Sequence, residues 1–282
     1  MCLFQKGRPE YERWISENPA AQRAGTPHRV RMIIFRMIAV IAVLFFVVAV
    51  VLMASAPWVL LQPDQATRTE LNRWFLTVAG SVDAITAGVL LALAQQPRRI
   101  LLVVELAGAV IVAGVIILPF QPSFAAILAV GVVPLLAYPY WRDVRAFPSW
   151  WADVSRGFLV LAVLAGAALL VTAAIAFPRQ IGGTDPVARG GWWSDYAEHA
   201  TVLTLAGVLA ASRGPGCRIL RGLCSAVWLY LGLVAALILP HHPGSWGRIG
   251  GAAAVLVGVG FGLATWRGPE RDVTGSPRRA LP

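Results

Sequence analysis

Charge is scarce in this chain of 282 residues: Asp, Glu, Lys and Arg together make up 13%, against 57% hydrophobic residues and a mean hydropathy of +0.68. That shortage excludes an ordinary water-soluble domain, in which about a quarter of the residues are charged. Cysteine is nearly missing, with three in all, which leaves no disulfide framework to organise a fold. Cys217 and Cys224 lie seven residues apart, about 10 Å along a helix axis, too far for a disulfide within one helix. They read as small apolar fillers. No nucleotide-binding loop, nucleophile-and-base arrangement or zinc-protease motif occurs. No catalytic residue is therefore assigned, no cofactor is implied, and the balance falls against an enzyme.

Long apolar runs are what the chain has instead. About 20 apolar residues at 1.5 Å each cross roughly 30 Å of hydrocarbon. Eight such windows occur, at 34–56, 75–95, 100–119, 123–141, 157–177, 196–212, 219–239 and 248–266. Helices are the expected form, because lipid offers no partner to unpaired backbone groups and a barrel would show short alternating segments. The expected fold class is all-α, a polytopic integral membrane protein with eight transmembrane helices. Ala54, Ser55 and Ala56 imitate a signal-cleavage site, but the polar stretch before the first run and the run itself are both too long for a signal peptide.

Basic residues collect on the cytoplasmic side of spans. With the amino terminus inside, 19 of the 24 Lys and Arg residues fall on cytoplasmic segments, and only Arg68, Arg73, Arg179, Arg189 and Arg248 fall outside. Both termini are thus expected in the cytoplasm of a bacterial cell, with the protein in the plasma membrane. Most of the formal charge of +10 faces inward. It is spread over every inner loop rather than gathered in one patch, which argues against nucleic acid and for anionic headgroups of the bilayer as the partner.

The chain also repeats part of itself. Thr86, Ala87, Gly88, Val89, Leu90, then Arg99, Ile100, Leu101, then Ile117, Leu118, Pro119, then Pro122 and Ser123, then Trp141 and Arg142, form one series. Leu205, Ala206, Gly207, Val208, Leu209, then Arg218, Ile219, Leu220, then Ile238, Leu239, Pro240, then Pro243 and Ser245, then Trp266 and Arg267, form the second. Four spans per copy is an even number, so the copies are expected as two parallel four-helix repeats related by an axis along the membrane normal. The divisions are a polar tail at 1–32, a first repeat at 33–142, a linker at 143–156, a second repeat at 157–267 and a tail at 268–282. Pro9, Pro19 and Pro27 are expected to prevent a long helix in the first tail, where Glu10 to Ile15 form an interfacial stretch or part of a mobile segment. Pro119 and Pro240 read as helix terminators. Gly and Ala, dense in the later spans, predict close helix packing. Trp and Tyr at span ends, including Trp74, Tyr138, Trp193 and Tyr196, read as an aromatic belt.

Ionisable groups inside a span are costly and need an account. Asp83 falls near mid-membrane in the second span, with Thr77, Ser81 and Thr86 on the same helix. It reads either as a protonatable carboxylate for ion or proton coupling or as a hydrogen-bonded link between helices. Glu105, five residues into the third span, is expected to reach Arg98, Arg99 or another inner-face arginine. Aligning the copies sets Val202 opposite Asp83 and Cys224 opposite Glu105, so any site is confined to one half or has diverged between them. At the outer face, Trp192, Trp193, Asp195, Glu198 and His199 precede His241 and His242 on the next outer connection. These include ligand types that copper or zinc takes, without the i, i+4 spacing of a helical metal site.

The layout of eight spans in two parallel four-helix units, with both termini inside, resembles that of haem A synthases and distantly that of copper-resistance membrane proteins. The resemblance implies haem-binding His residues within spans of both halves. Here His28, His199, His241 and His242 fall in the tail, at a span edge and in a loop, so that chemistry does not transfer. Three functions remain in play: a transporter-like protein for a small solute or ion, proton-coupled through Asp83; a membrane scaffold or assembly subunit with a membrane-protein partner or a second copy; and a haem- or metal-handling enzyme with an outer-face site.

Overall fold

The computed structural model describes residues 19–54, 66–145, 154–242 and 244–267. Among them every regular element is helical, and the one β-type contact is an isolated bridge between Val154 and Ser212. In order, the helices are α1 (Pro19–Ala54), α2 (Ala66–Gln95), α3 (Ile100–Ile116), a 3-10 turn at Pro122–Phe124 leading into α4 (Ala125–Ala137), and α5 (Trp141–Arg145). After residue 153 come α6 (Arg156–Gly182), α7 (Pro186–Arg189), α8 (Trp192–Ala211), α9 (Cys217–Leu233) with a π-helical turn at Val234–Ile238, and α10 (Gly247–Arg267).

Five helical segments are long and apolar enough to cross a membrane: Arg29–Met53, Arg73–Gln95, Arg156–Gly182, Cys217–Ile238 and Gly247–Thr265. Ile100–Ile116 and Pro122–Ala137 are shorter apolar helices. α8 matches the expected sixth window in position, but its first two turns carry Asp195, Glu198 and His199 and lower its hydropathy. The fold spends this polar helix at its centre, where it packs against α2, α3, α6 and α9 and is buried along nearly its whole length.

The outer helices show the opposite pattern. α1 exposes Ile33, Met37, Ile41, Leu44, Val48 and Leu52, α6 exposes Val160, Leu164, Val171 and Ile175, and α10 exposes Ile249, Leu256 and Leu263. Apolar faces of this extent are untenable in water and ordinary against lipid.

Prolines place the ends much as their chemistry requires. α3 stops at Ile116, short of Pro119, and Pro122 opens the next turn, where its missing N–H costs nothing. The expectation that prolines prevent a helix before residue 33 is corrected. α1 starts at Pro19, in the first turn where proline is tolerated, and continues through Pro27 at the cost of one backbone hydrogen bond. The stretch Glu10 to Ile15 and both tails beyond residues 19 and 267 lie outside the described residues.

Small residues bring α9 and α10 into backbone contact. A methyl group placed on Gly251 would sit 2.6 Å from the Ala236 backbone nitrogen and 2.7 Å from the Gly232 carbonyl oxygen. The Ser225 hydroxyl donates to the Gly258 carbonyl oxygen at 2.8 Å across the same interface. At the other end of α9, Arg221 is buried and donates from Nε to the Ala210 carbonyl oxygen at 2.8 Å and from Nη2 to that of Ser212 at 3.2 Å. Its guanidinium lies 4.7 Å from the Phe158 ring centroid. This buried cation therefore serves the otherwise unpaired carbonyls at the C-terminus of α8, where the helix dipole favours positive charge.

The aromatic-belt reading is corrected for four residues. Trp74, Tyr138, Trp193 and Tyr196 are buried core side chains rather than lipid-facing ones. Phe75 packs edge-on against Trp193 and Tyr196, with centroids 5.1 and 5.6 Å away, and Trp74 packs edge-on against Trp246 at 5.3 Å. The Trp74 indole donates to the Tyr196 hydroxyl, which donates to the Gly244 carbonyl. The polar tips of Trp74, Tyr138 and Tyr196 find partners inside the protein and need no interface, whereas the Trp193 indole nitrogen is buried without one.

Candidate functional site

Helix α2 presents polar side chains to α8 at successive levels. At one level the Ser81 hydroxyl lies 3.1 Å from His199 Nδ1. Ser81 also donates to the Val78 carbonyl oxygen at 2.6 Å. A hydroxyl has a single hydrogen, so this network assigns the His199 proton to Nδ1, donating to Ser81, and leaves Nε2 as a bare acceptor. Nε2 is buried without a protein partner.

Two residues further along α2, Asp83 faces a cavity of about 170 Å³ whose lining includes Gln121, Trp192, Asp195 and Glu198. All three carboxyls belong to buried residues, and Asp195 and Glu198 each lie close enough to interact electrostatically with Asp83. Gln121 Nε2 donates to Asp195 Oδ1 at 3.1 Å. A smaller recess of about 30 Å³, lined by Asp83, Glu198, Thr86 and Gly131 among others, continues the cavity toward α4. The Thr86 hydroxyl is engaged with the Val82 carbonyl oxygen at 3.0 Å, so its place is on the wall rather than in a carboxylate pair.

Local sequence explains the arrangement. Asp195 stands in the first turn of α8, where free N–H groups and the helix dipole favour a carboxyl. Asp195 and Glu198 are three apart and so share a helix face. Gly191 enters α8 at φ +78, a backbone conformation that side chains disfavour, and a methyl group there would lie 2.9 Å from Gln121 Nε2. Glycine at this point lets Gln121 reach Asp195. On the other side of the helix start, Gln180 accepts from the Trp193 backbone N–H at 3.2 Å and donates to the Ala188 carbonyl oxygen at 2.8 Å.

The expected sites are thus redistributed. Asp83 and Glu198 line one cavity, although the sequence placed one at mid-membrane and the other at the outer face. Asp195 joins them; its i, i+3 relation to Glu198 was the available signal. His199 is wholly buried against Ser81, while His241 is exposed and His242 half-buried in the turn after α9. Among the described residues no group of three or more His, Cys, Asp or Glu side chains has the geometry to hold a metal ion. The proposed outer-face cluster of Glu198, His199, His241 and His242 is not assembled.

Glu105 departs furthest from expectation. It reaches no arginine: it is fully buried, and neither carboxyl oxygen has a hydrogen-bond partner. Its electrostatic neighbour is the Cys224 thiol, the residue that aligns with it in the second copy. Burying a carboxyl without partners costs more than burying an alkyl chain. Glu105→Leu is therefore expected to stabilise the protein by roughly 1–3 kcal/mol, read as a higher melting temperature in detergent. A lower melting temperature would show that the carboxyl has a supporting role in the fold.

Compared with protein-family models, curated proteins and solved structures, the chain matches none.

Proposed function

We propose that the chain is a plasma-membrane protein of eight spans, built as two parallel four-helix repeats with both termini in the cytoplasm, and that it moves a small solute or ion with proton coupling through Asp83. The observation that carries the transport reading is the meeting of Asp83, Asp195 and Glu198 around one cavity at the contact between α2 and α8. A single hydrogen-bonded polar link would hold two helices together. Three carboxyls gathered inside a membrane protein cost far more than packing requires, and such groups mark ion and proton paths.

The repeat reading draws support from equivalent packing. α1 lies on α2 as α6 lies on α8, α3 meets α8 as α9 meets α2, and α4 touches α1 as α10 touches α6. Setting Gly88 against Gly207 also pairs Trp74 with Trp193, and both are buried. The two inner turns join directly, the Leu101 N–H donating to the Pro215 carbonyl oxygen at 3.3 Å. Asp83 then belongs to one repeat and Asp195 and Glu198 to the other, a position from which movement of the repeats against each other would open and close the cavity. Orientation rests on the excess of arginine at the inner turns.

The test is reconstitution of the full chain into vesicles loaded with a pH-sensitive dye. An imposed pH gradient is followed with Na⁺, K⁺ or methylammonium outside. Transport predicts cation-dependent collapse of the gradient faster than in protein-free vesicles. Decay equal to protein-free vesicles for every cation, with a stable partner recovered in gentle detergent, would overturn the reading in favour of a membrane scaffold.

A further inference from the structure

Away from the carboxylate cavity, a recess of about 670 Å³ opens between α1 and the Leu136–Arg142 segment that joins α4 to α5. Its two walls run in the same chemical order. On α1, Arg31 lies one turn before Ile34, at the polar end of the apolar stretch. On the facing wall, Leu136 and Ala137 give way to Tyr138, Tyr140 and Trp141 and then to Arg142. Arg98 adds a third cation, its guanidinium 5.1 Å from the Tyr140 ring centroid. Arg31, Arg142, Ile34 and Leu136 are all exposed, and among the described residues no carboxylate lines the recess.

We infer that this recess is a binding site for one anionic phospholipid, with its phosphodiester between Arg31 and Arg142 and an acyl chain along Ile34 and Leu136. Guanidinium groups bind phosphate oxygens through paired N–H donors. The half-buried Tyr140 and Trp141 rings suit the glycerol level of a membrane interface. A free phosphate would satisfy the arginines and leave the apolar end of both walls without an occupant. A zwitterionic lipid would bring a positive charge to a wall whose described charged residues are both arginines. The site is independent of the transport reading.

The experiment uses the full chain in mild detergent with dioleoylphosphatidylglycerol, dioleoylphosphatidylcholine or sodium phosphate added. Native mass spectrometry counts retained lipids, and a melting curve reads stabilisation. One phosphatidylglycerol is expected to be retained and to raise the melting temperature, with no such effect from phosphatidylcholine or phosphate. Removing both charges, as Arg31→Gln with Arg142→Gln, is expected to weaken phosphatidylglycerol binding roughly 10- to 30-fold, at about a kilocalorie for each cation near an anionic lipid. Arg156→Gln, an exposed arginine at the start of α6, should leave it unchanged. Equal retention of the two lipids, an equal shift with phosphate alone, or wild-type binding by the double variant would each overturn the assignment. The lipid comparison on the unaltered protein stands even if the double variant fails to fold.

Discussion

Asp83→Asn is expected to reduce cation-dependent collapse of a pH gradient to the rate of protein-free vesicles, while the protein still inserts and elutes as the wild type does. The substitution keeps the shape and hydrogen-bonding capacity of the side chain and removes its ability to take up and release a proton. It leaves Asp195 held by Gln121 and Glu198 in place, so the cavity persists and only the carboxyl proton on its α2 wall is lost. A structural link would tolerate Asn, because an amide bonds as well as a carboxyl. Unaltered flux would sink the coupling role of Asp83, and altered elution or lost helicity would reassign the residue to packing.

The second large effect concerns Gly251. Replacement by Leu is expected to abolish the native packing of α9 on α10, lowering stability by about 3 kcal/mol or more and the melting temperature in detergent with it. The first atom of the new side chain would meet the Ala236 nitrogen and Gly232 carbonyl oxygen well inside van der Waals distance. Both obstacles are backbone, so no rotamer change relieves them and the two helices must separate. Gly222→Ala is the matched control: nothing lies within 4 Å of a methyl group there, and exchanging an unconstrained helical glycine for alanine adds roughly half to one kcal/mol. Wild-type melting of Gly251→Leu would show that the α9 and α10 contact is looser than its geometry states.

How much of this was readable beforehand divides along a physical line. Apolar length along a helix axis is written in sequence, so every apolar window holds a helix, five of them long and apolar enough to cross a membrane, and Pro119 and Pro122 mark a turn through their missing N–H groups. Rotation about that axis is written far more faintly. In spans with apolar residues on every side, nothing distinguishes the face that meets lipid from the face that meets another helix. Glu105 was therefore expected to reach arginines near its own end and instead sits among buried neighbours beside Cys224. Trp74 and Tyr196 looked like interfacial aromatics for the same reason. The approach of Asp83 to Glu198 depends on how far α8 is offset along α2, a tertiary quantity that counting residues from span ends does not supply. Gly191 and Gln121, which position Asp195, had no motif to announce them.

The π-helical turn at Val234–Ile238 sets the end of α9 apart from the end of α3. From Arg99 to Ile117 is 18 residues, and from Arg218 to Ile238 is 20. The wider turn takes up extra chain, with the Leu239 N–H returning to the Val234 carbonyl at 2.8 Å. The loop that follows is fastened through its Gly244 carbonyl to Tyr196. The connection after α3, Gln121 to Phe124, instead borders the carboxylates. The two connections thus differ in what they touch: one is tied to the aromatic core of α8, and the other forms part of the cavity wall.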